Sequence, residues 1–552
     1  MSATTRVTGG LSFLFAIILL CSGCGSAGKD KHTASRPDST AAWDKSIPGS
    51  FSTQTELHID SVAVDSFFRA YPAFAPYAGD VHRFYRGRDY ACAWFDRQGL
   101  IEQAYNLANR IRNIQDEGVA QTLPYAGLFD TLIDAVRMQG DKSRPDLRLE
   151  LLLTSEYFAF AHTVWQGMDD SATVAVQWFL PRKKVSYQSY LDSLLRGNGA
   201  AASEEPVYRQ YGLLRAFLKQ YRALSALPWP ALTADKKSYR PGDVSPVIAA
   251  ISKRLYLLGD YAGDTTAEQY GDTLVAAVKE FQRRHGLAED GVMGAGFMGE
   301  LNVPPADRIT RILVNMERSR WVPVRVTTDY LVVNIPEFRL HVYRDDSLVW
   351  SCNVVVGQQM HKTVVFNGDV KYVVFSPYWN VPPSIVRNEV LPGMRRNKSY
   401  LARHNMEITG NSGGLPVIRQ RPGPSNSLGL VKFLFPNSYN IYLHDSPAKS
   451  LFGETSRAFS HGCIRVSEPE RLAGFLLRKD STWTPEKIRA AMDAGKEQYM
   501  TLKEPVPVFI AYFTAFVDSR GKINFRKDIY SRDGRMAEML LAETDKPALT
   551  AR

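Results

Sequence analysis

At 552 residues the chain is too long for one hydrophobic core, and three or four domains are expected. Its 45% hydrophobic and 22% charged residues place it among ordinary globular proteins. The net charge of +10 is spread along the sequence, which suits an anionic surface such as cell wall or lipid head groups. No basic block with interleaved aromatics points to nucleic acid.

The chain begins with a targeting pattern. Arg6 supplies a positive start, and residues 11–20 form an apolar run too short to span a bilayer. Cys21-Ser22-Gly23-Cys24 follows, with small residues directly before Cys24. The pattern resembles a bacterial lipoprotein signal (residues 1–24), in which Cys24 is lipidated and becomes the mature N-terminus. Cys21 stands where such signals usually carry leucine. Residues 25–55, rich in Ser, Thr, Ala, Gly and Lys, read as a flexible tether. Processing would leave Cys92, Cys352 and Cys463. The first two lie in apolar surroundings and read as buried thiols, although a disulfide between them is open at this level.

Residues 56–242 carry helical periodicity, clearest at 101–111, 147–165 and 208–224. The stretch Arg86-Gly87-Arg88-Asp89-Tyr90 and the nearby Trp94 read as staples between helices. Pro228, Pro230 and Pro241-Gly242 punctuate a boundary. A compact unit then covers residues 243–305, with helices expected at 247–258 and 274–285, a turn at Asp290-Gly291, and a short last helix near Leu301-Asn302. Leu257, Val278 and Phe281 are its expected core. The segments "RLYLLG", "AVKEFQRRHGL", "DGVMG" and "LN", in this order, resemble the three-helix peptidoglycan-binding domain.

From Ile309 a short helix leads to Trp321, and the period then changes to that of strands. Residues 330–335 and 338–343 flank a turn at Pro336-Glu337; further strands are expected at 349–356, 371–375, 431–435, 439–443 and 506–517. Helices are expected at 472–477 and 485–494. Between about 379 and 433 the strand pattern breaks into short helices and loops, with 410–414 and 419–426 read as loops. An insertion this long in a β domain is usually functional. Residues 306–535 thus form one domain, and 536–552 read as a polar, poorly ordered tail.

The chemistry concentrates in Ser460-His461-Gly462-Cys463-Ile464-Arg465, preceded by Tyr442-Leu443-His444-Asp445. A cysteine becomes a strong nucleophile as its thiolate, and a nearby imidazole can take the proton. Gly462 permits a tight turn that can aim N–H groups at a developing oxyanion. Arg465, two residues after Cys463, shares its face on a strand and could bind a substrate carboxylate. The orienting group of the imidazole could be Ser460 Oγ, the Asp445 carbonyl or the Asp445 carboxylate. A zinc site from His444, His461 and Cys463 fits no ordinary ligand spacing.

This arrangement resembles the L,D-transpeptidase (YkuD-type) catalytic domain. "NMERSRWVP", "VNIPEFRLHVY" and "SPYWNVPPSI", with the helical region before them, resemble the large YcbB-like subfamily. The implied fold is multidomain α+β: a helical scaffold, the three-helix domain and a mostly-β catalytic domain capped by the insertion. The resemblance makes Cys463 the nucleophile and His444 the base, with a carbonyl favoured as its orienting group. It leaves His461, Gly462 and Tyr442 to the loop and oxyanion region. Trp379, Arg419 and Arg421 are the insertion residues expected to reach substrate.

The implied reaction takes a tetrapeptide donor stem of peptidoglycan, forms a thioester at Cys463, and passes it to the third residue of an acceptor stem. It needs no ATP, metal or other cofactor. The expected place is extracytoplasmic and membrane-anchored through Cys24, facing the periplasm from the outer membrane in a diderm bacterium. Water, a free D-amino acid or a protein are alternative acceptors. The rivals are a sortase-like enzyme, against which the Tyr442 to Arg465 context argues, and a non-catalytic structural lipoprotein holding peptidoglycan.

Overall fold

The computed structural model describes residues 57–96, 99–139, 145–196 and 205–544. The signal segment, Cys24 and the tether lie outside the described residues. The N-terminal region is helical, as expected, around one helix that is apolar on every side. Leu147–Phe160 is buried without a break from Leu149 onward, and its neighbours wrap it completely. Its one carboxylate in that run with a full partner set, Glu150, accepts from the N–H groups of Ala93 (2.5 Å) and Trp94 (2.9 Å) and from the Tyr85 hydroxyl (2.8 Å). These bonds pin the segment that joins the Ala78–Gly87 helix to a short hairpin of β1 (Phe95–Asp96) and β2 (Gly99–Leu100). Trp94 is buried here and its indole donates to Thr154 Oγ1, so it staples helices. Cys92 and Cys352 are free, buried thiols in two different cores, and burial pushes them up to about 12 and about 11.

The next unit has helices Pro246–Leu257, Asp272–Arg284 and Ala295–Asn302 around Ile251, Leu255, Val278 and Phe281. Ser245 caps the first helix by accepting from the Val247 N–H. Leu257, expected in this core, instead packs against the scaffold core; Leu255 takes its place one face over.

The helix expected to be short from Ile309 is a 17-residue spine, Pro305–Trp321, buried over most of its length. Ile312 and Met316 enter the scaffold core, and Val314 and Trp321 enter the catalytic core. Its buried charges are matched: Arg320 pairs with Glu317 at 2.6 Å, Arg318 with Asp533 at 2.7 Å, and Glu317 accepts from the Met168 N–H at 2.7 Å.

The domain that follows the spine is a closed sheet. Two residues of the scaffold region form β3 (Trp178–Phe179). The domain itself supplies β4 (Tyr330–Asn334), β5 (Arg339–Arg344), β6 (Ser347–Gly357) and β7 (Val365–Phe375). The order is β11-β12-β14-β6-β5-β4-β15-β7-β3, and pairing of β11 with β7 closes the ring. The insertion supplies β8 (Trp379–Asn380), β9 (Met406–Ser412) and β10 (Leu415–Gln420). After it come β11 (Val431–Leu434), β12 (Leu443–His444), β13 (Ala458–Ser460), β14 (Ile464–Val466) and β15 (Gln498–Ala511). β15 starts well before the expected 506 and lies between β4 and β7, parallel to the first and antiparallel to the second. β3 pairs with Val365 and Phe366, so the scaffold region adds its own strand to the barrel.

The insertion is a small folded unit. Its three strands, in the order β8-β10-β9, cover short helical turns on a core of Val381, Ile385, Val386, Val390 and Ile418. Residues 406–420, expected in part as loop, form a hairpin turning at Gly413-Gly414, both at positive φ. After the barrel, β16 (Ala515–Val517) and β17 (Ile523–Phe525) make a second hairpin that packs into the scaffold core. The first part of the polar tail expected at 536–552 belongs to a helix, Asp533–Thr544, whose Met536 is fully buried in the barrel's core; the rest lies outside the described residues. Among the described residues no helix is long and apolar enough to cross a membrane.

Candidate active site

Three neighbouring strands put the candidate residues on one face. His444 on β12 is in register with Arg465 on parallel β14 and with Lys432 on antiparallel β11. Residues directly paired across strands project to the same side, so the imidazole lies between two cations. Cys463 immediately precedes β14, and the Ile464 N–H donates to the Tyr442 carbonyl at 3.1 Å. The cysteine therefore sits beside Tyr442, one diagonal step from His444.

His444 is buried, and its Nδ1 lies 2.5 Å from the Asp445 carbonyl. A carbonyl only accepts, so Nδ1 carries the proton and Nε2 keeps its lone pair. Burial first, then the Arg465 charge, hold the imidazole down at about 3, against partial opposition from the Asp445 and Leu428 carbonyls. It is neutral over the physiological range. The Cys463 thiol is half-buried and is pushed up by desolvation, with the Tyr442 backbone and hydroxyl and the Arg465 charge pulling the other way. The resting pair is thus thiol and neutral imidazole, not thiolate and imidazolium. Sγ also lies 3.6 Å from the Asn440 carbonyl, and Asn440 holds a left-handed backbone (φ 56°) in the loop before β12.

Two expected roles are corrected by the bonds these groups make. Ser460 does not reach the imidazole: its Oγ donates to the Cys463 carbonyl at 2.5 Å and accepts from the Gly462 N–H at 3.1 Å, closing the nucleophile turn on itself. That bond occupies the Gly462 N–H expected at the oxyanion. Gly462 itself has φ +114°, open to glycine, and its carbonyl accepts from Thr363 Oγ1 at 2.8 Å. The Asp445 carboxylate faces away from His444. It accepts from the Leu430 (2.9 Å) and Ser446 (2.7 Å) N–H groups and pairs with Lys449. A Cβ on Gly429 would lie 2.3 Å from that carboxylate, so glycine is required where the insertion rejoins the barrel.

His461 points out of the turn. Its Nε2 lies 3.1 Å from Glu389 of the insertion, with the His361 ring 5.0 Å away. Arg465 has no carboxylate within ion-pair distance among the described residues, and its buried Nε has no hydrogen-bond partner. Arg419 and Arg421, expected at the substrate, both pair with Glu407 across the hairpin (2.5 and 2.6 Å), and Arg419 stacks on Tyr378. Trp379 packs against the insertion core. The three insertion residues hold the insertion together.

Sequence reasoning missed the support beneath the turn. Tyr530 donates to the Gly357 carbonyl at 2.6 Å and accepts from the Thr363 N–H at 3.2 Å, while Thr363 Oγ1 accepts from the Gly357 N–H and donates to Gly462. A Cβ at Gly357 would lie 2.0 Å from the His361 carbonyl, so this layer tolerates no side chain there. No local motif marks Tyr530 or Thr363; only the fold brings them under Cys463.

Three family profiles match the chain. Residues 79–218 match the scaffold domain, 245–301 the domain described as "Putative peptidoglycan binding domain", and 328–495 the L,D-transpeptidase catalytic domain, YkuD. A Haemophilus influenzae protein named "Putative L,D-transpeptidase" is 33% identical over 242 residues, 40% of this chain and 48% of the relative. The match thus spans about half the length of that relative. Among solved structures, the L,D-transpeptidase (Yku) from Stackebrandtia nassauensis is 13% identical, covering 50% of this chain and 97% of that one, with a TM-score of 0.21. The L,D-transpeptidase (residues 123-326) from Xylanimonas cellulosilytica is 16% identical over 50% of this chain and 99% of that one, with a TM-score of 0.18. Scores this low carry no argument, and the assignment rests on the domain matches and the curated relative. The chain carries, in order, a scaffold domain, a peptidoglycan-binding domain and an L,D-transpeptidase catalytic domain of the YkuD family.

Proposed function

We propose that this protein crosslinks peptidoglycan by joining the third residues of two stem peptides through a thioester on Cys463. The observation that carries the reading is the neutral His444, whose Nδ1–H is committed to the Asp445 carbonyl, which leaves Nε2 as the proton acceptor, one diagonal step across the paired strands from Cys463. As Sγ attacks the carbonyl of the third residue, its proton passes to Nε2. The oxyanion is met by the Cys463 N–H and the Tyr442 hydroxyl. Collapse breaks the amide bond to the terminal D-alanine, whose amine leaves with the proton from the imidazolium. The side-chain amine of an acceptor stem then attacks the thioester, loses a proton to His444 and releases the thiol. Arg465, half-buried and with no carboxylate within ion-pair distance among the described residues, binds the donor's carboxylate. The bond energy of the donor amide drives the exchange, so the chemistry needs no cofactor.

The peptidoglycan-binding domain supports an extracytoplasmic site, and the sequence up to Cys24 supports a lipid anchor there. Wild-type protein and Cys463→Ala are each incubated with tetrapeptide-rich peptidoglycan, which is then digested and weighed by mass spectrometry. Crosslinks between third residues are expected from the wild type alone. Trimming to tripeptides without crosslinks would assign hydrolysis instead, and crosslinks from Cys463→Ala would sink the cysteine mechanism.

A further inference from the structure

A cleft of about 790 Å³ opens where the turn after helix Asp272–Arg284 faces β5, the loop before β13 and the segment after β17. Four arginines line it: Arg283 pairs with Glu280 (2.5 Å) and Asp518 (3.1 Å), while Arg339, Arg457 and Arg526 have no carboxylate within ion-pair distance among the described residues. Arg339 donates to the Asn353 side-chain oxygen at 2.9 Å, and Arg457 to the carbonyls of Glu454 (2.6 Å) and Phe338 (3.2 Å). Arg526 donates to the carbonyls of Arg284 (2.8 Å) and Phe525 (2.9 Å) and to Asn524. Arg457 Nε is buried with no hydrogen-bond partner. The arginines are close enough to repel one another.

One acid, Glu337, lies close enough to attract Arg457 and Arg526, but it does not pair with either and cannot balance three arginines. Glu337 accepts from His341 at 2.9 Å, and Glu300, on the other wall, pairs with Arg308 at 2.6 Å. Glu289 and Glu454 are exposed at the rim, where solvent screens them. Such a set of half-buried like charges, held apart by backbone carbonyls, is an electrostatic cost that a bound anion would relieve. The packing keeps Arg526 in place: Gly286, at φ +66°, leaves the room it crosses, and a Cβ there would lie 2.9 Å from its Cδ.

We propose that this cleft binds carboxylates of a peptidoglycan stem peptide, so that the peptidoglycan-binding domain and the catalytic domain grip one strand between them. The proposal rests on the crosslinking reading above. A guanidinium fork matches a carboxylate in two bonds, and the volume suits a peptide rather than a lone ion. The location ties the cleft to the chemistry. Arg457 runs directly into β13, which pairs with β6, and Cys463 follows six residues later, at most about 20 Å along the chain.

The test uses the full chain carrying Cys463→Ala, titrated by calorimetry with a soluble tetrapeptide stem having free carboxylates and with the same stem amidated. We expect binding of the first to weaken at least tenfold in Arg339→Gln/Arg457→Gln and on amidation. With Cys463 restored, the double variant should acylate with a carbapenem at the parent rate while its KM for crosslinking rises. If the double variant melts early, Arg339→Gln alone, at a half-exposed position, carries the same comparison. Binding indifferent to both the arginines and amidation would overturn the proposal, as would displacement by a glycerol-phosphate oligomer with no response to stems. Failure of the crosslinking reading shows separately, as a parent enzyme that makes no crosslinks.

Discussion

The nucleophile turn and the insertion above it treat arginine in opposite ways. In the insertion, Arg419 and Arg421 share Glu407, and the three side chains brace a hairpin whose own apolar core is small. On the barrel face, Arg465 is half-buried, has no carboxylate within ion-pair distance among the described residues and lies in register with a buried histidine. The residue type is the same, and the acids nearest in sequence, Glu468 and Glu470, lie near Arg465 rather than near Arg419 and Arg421. What separates them is whether the fold has supplied a carboxylate. A guanidinium left without one inside a protein is available to a ligand, and its field also sets the protonation of its neighbours.

The largest test of this contrast is the imidazole that Arg465 flanks. His444→Ala is expected to lose about 10²–10⁴-fold in carbapenem acylation, whereas His461→Ala, whose ring faces the insertion, should acylate within a few-fold of wild type. Failure of His461→Ala alone would reverse the two roles. Next in size, Arg465→Gln should cost about 10- to 100-fold in kcat/KM for crosslinking, the scale of a charged hydrogen bond. Arg419→Gln and Arg421→Gln should each stay within about twofold. Equal losses in all three would erase the distinction.

The pH profile sharpens it further. Because His444 is held down at about 3, its base form is full well below neutrality, and acylation should show no inflection near 6.5. The same shift makes acid destabilising. Between about 6.5 and about 3 the unfolded chain binds a proton that the folded site refuses, so stability falls by about 1.4 kcal/mol per pH unit as acid is added. A rate profile that turns at 6.5 would show an imidazole less isolated than the one described. The smallest effect is expected at the seam between the two regions. Glu389→Gln removes the partner of His461 and should slow crosslinking a few-fold while leaving carbapenem acylation unchanged, since only the large substrate requires the insertion to be seated.

Cys463, His444 and Arg465, the residues proposed for the chemistry, could be singled out in the sequence because they lie in two short runs, and the fold brings those runs onto neighbouring strands. The bonds inside the turn could not. Ser460 stood beside the favoured carbonyl as a candidate to orient His444, and only the three-dimensional turn shows its hydroxyl spent on Cys463 and Gly462. Tyr530 and Thr363 were invisible for another reason: they are 67 and 100 residues from Cys463 in sequence and meet it through the barrel. The hairpin at 406–420 had its turn signal in Gly413-Gly414, but β9 is exposed along most of its length, so alternation of apolar residues was absent. Leu257 was placed in the wrong core because one apolar helix serves two neighbours, and periodicity cannot say which neighbour takes which face.

The position of β15 has a consequence for the order in which the chain can fold. The strand that completes the barrel, residues 498–511, lies between partners more than 120 residues earlier, and Tyr530, which supports the Cys463 turn with Thr363, comes later still. A ribosome-bound or partly exported chain that ends before 498 has β4 and β7 without the strand between them. Loop closure over such separations is slow, so the barrel is expected to form after the helical scaffold rather than alongside it. With its last strand missing, the domain would present two unpaired edges, and with Tyr530 missing, an unsupported turn. The Cys463 turn thus lacks its support until the chain through Tyr530 is free to fold.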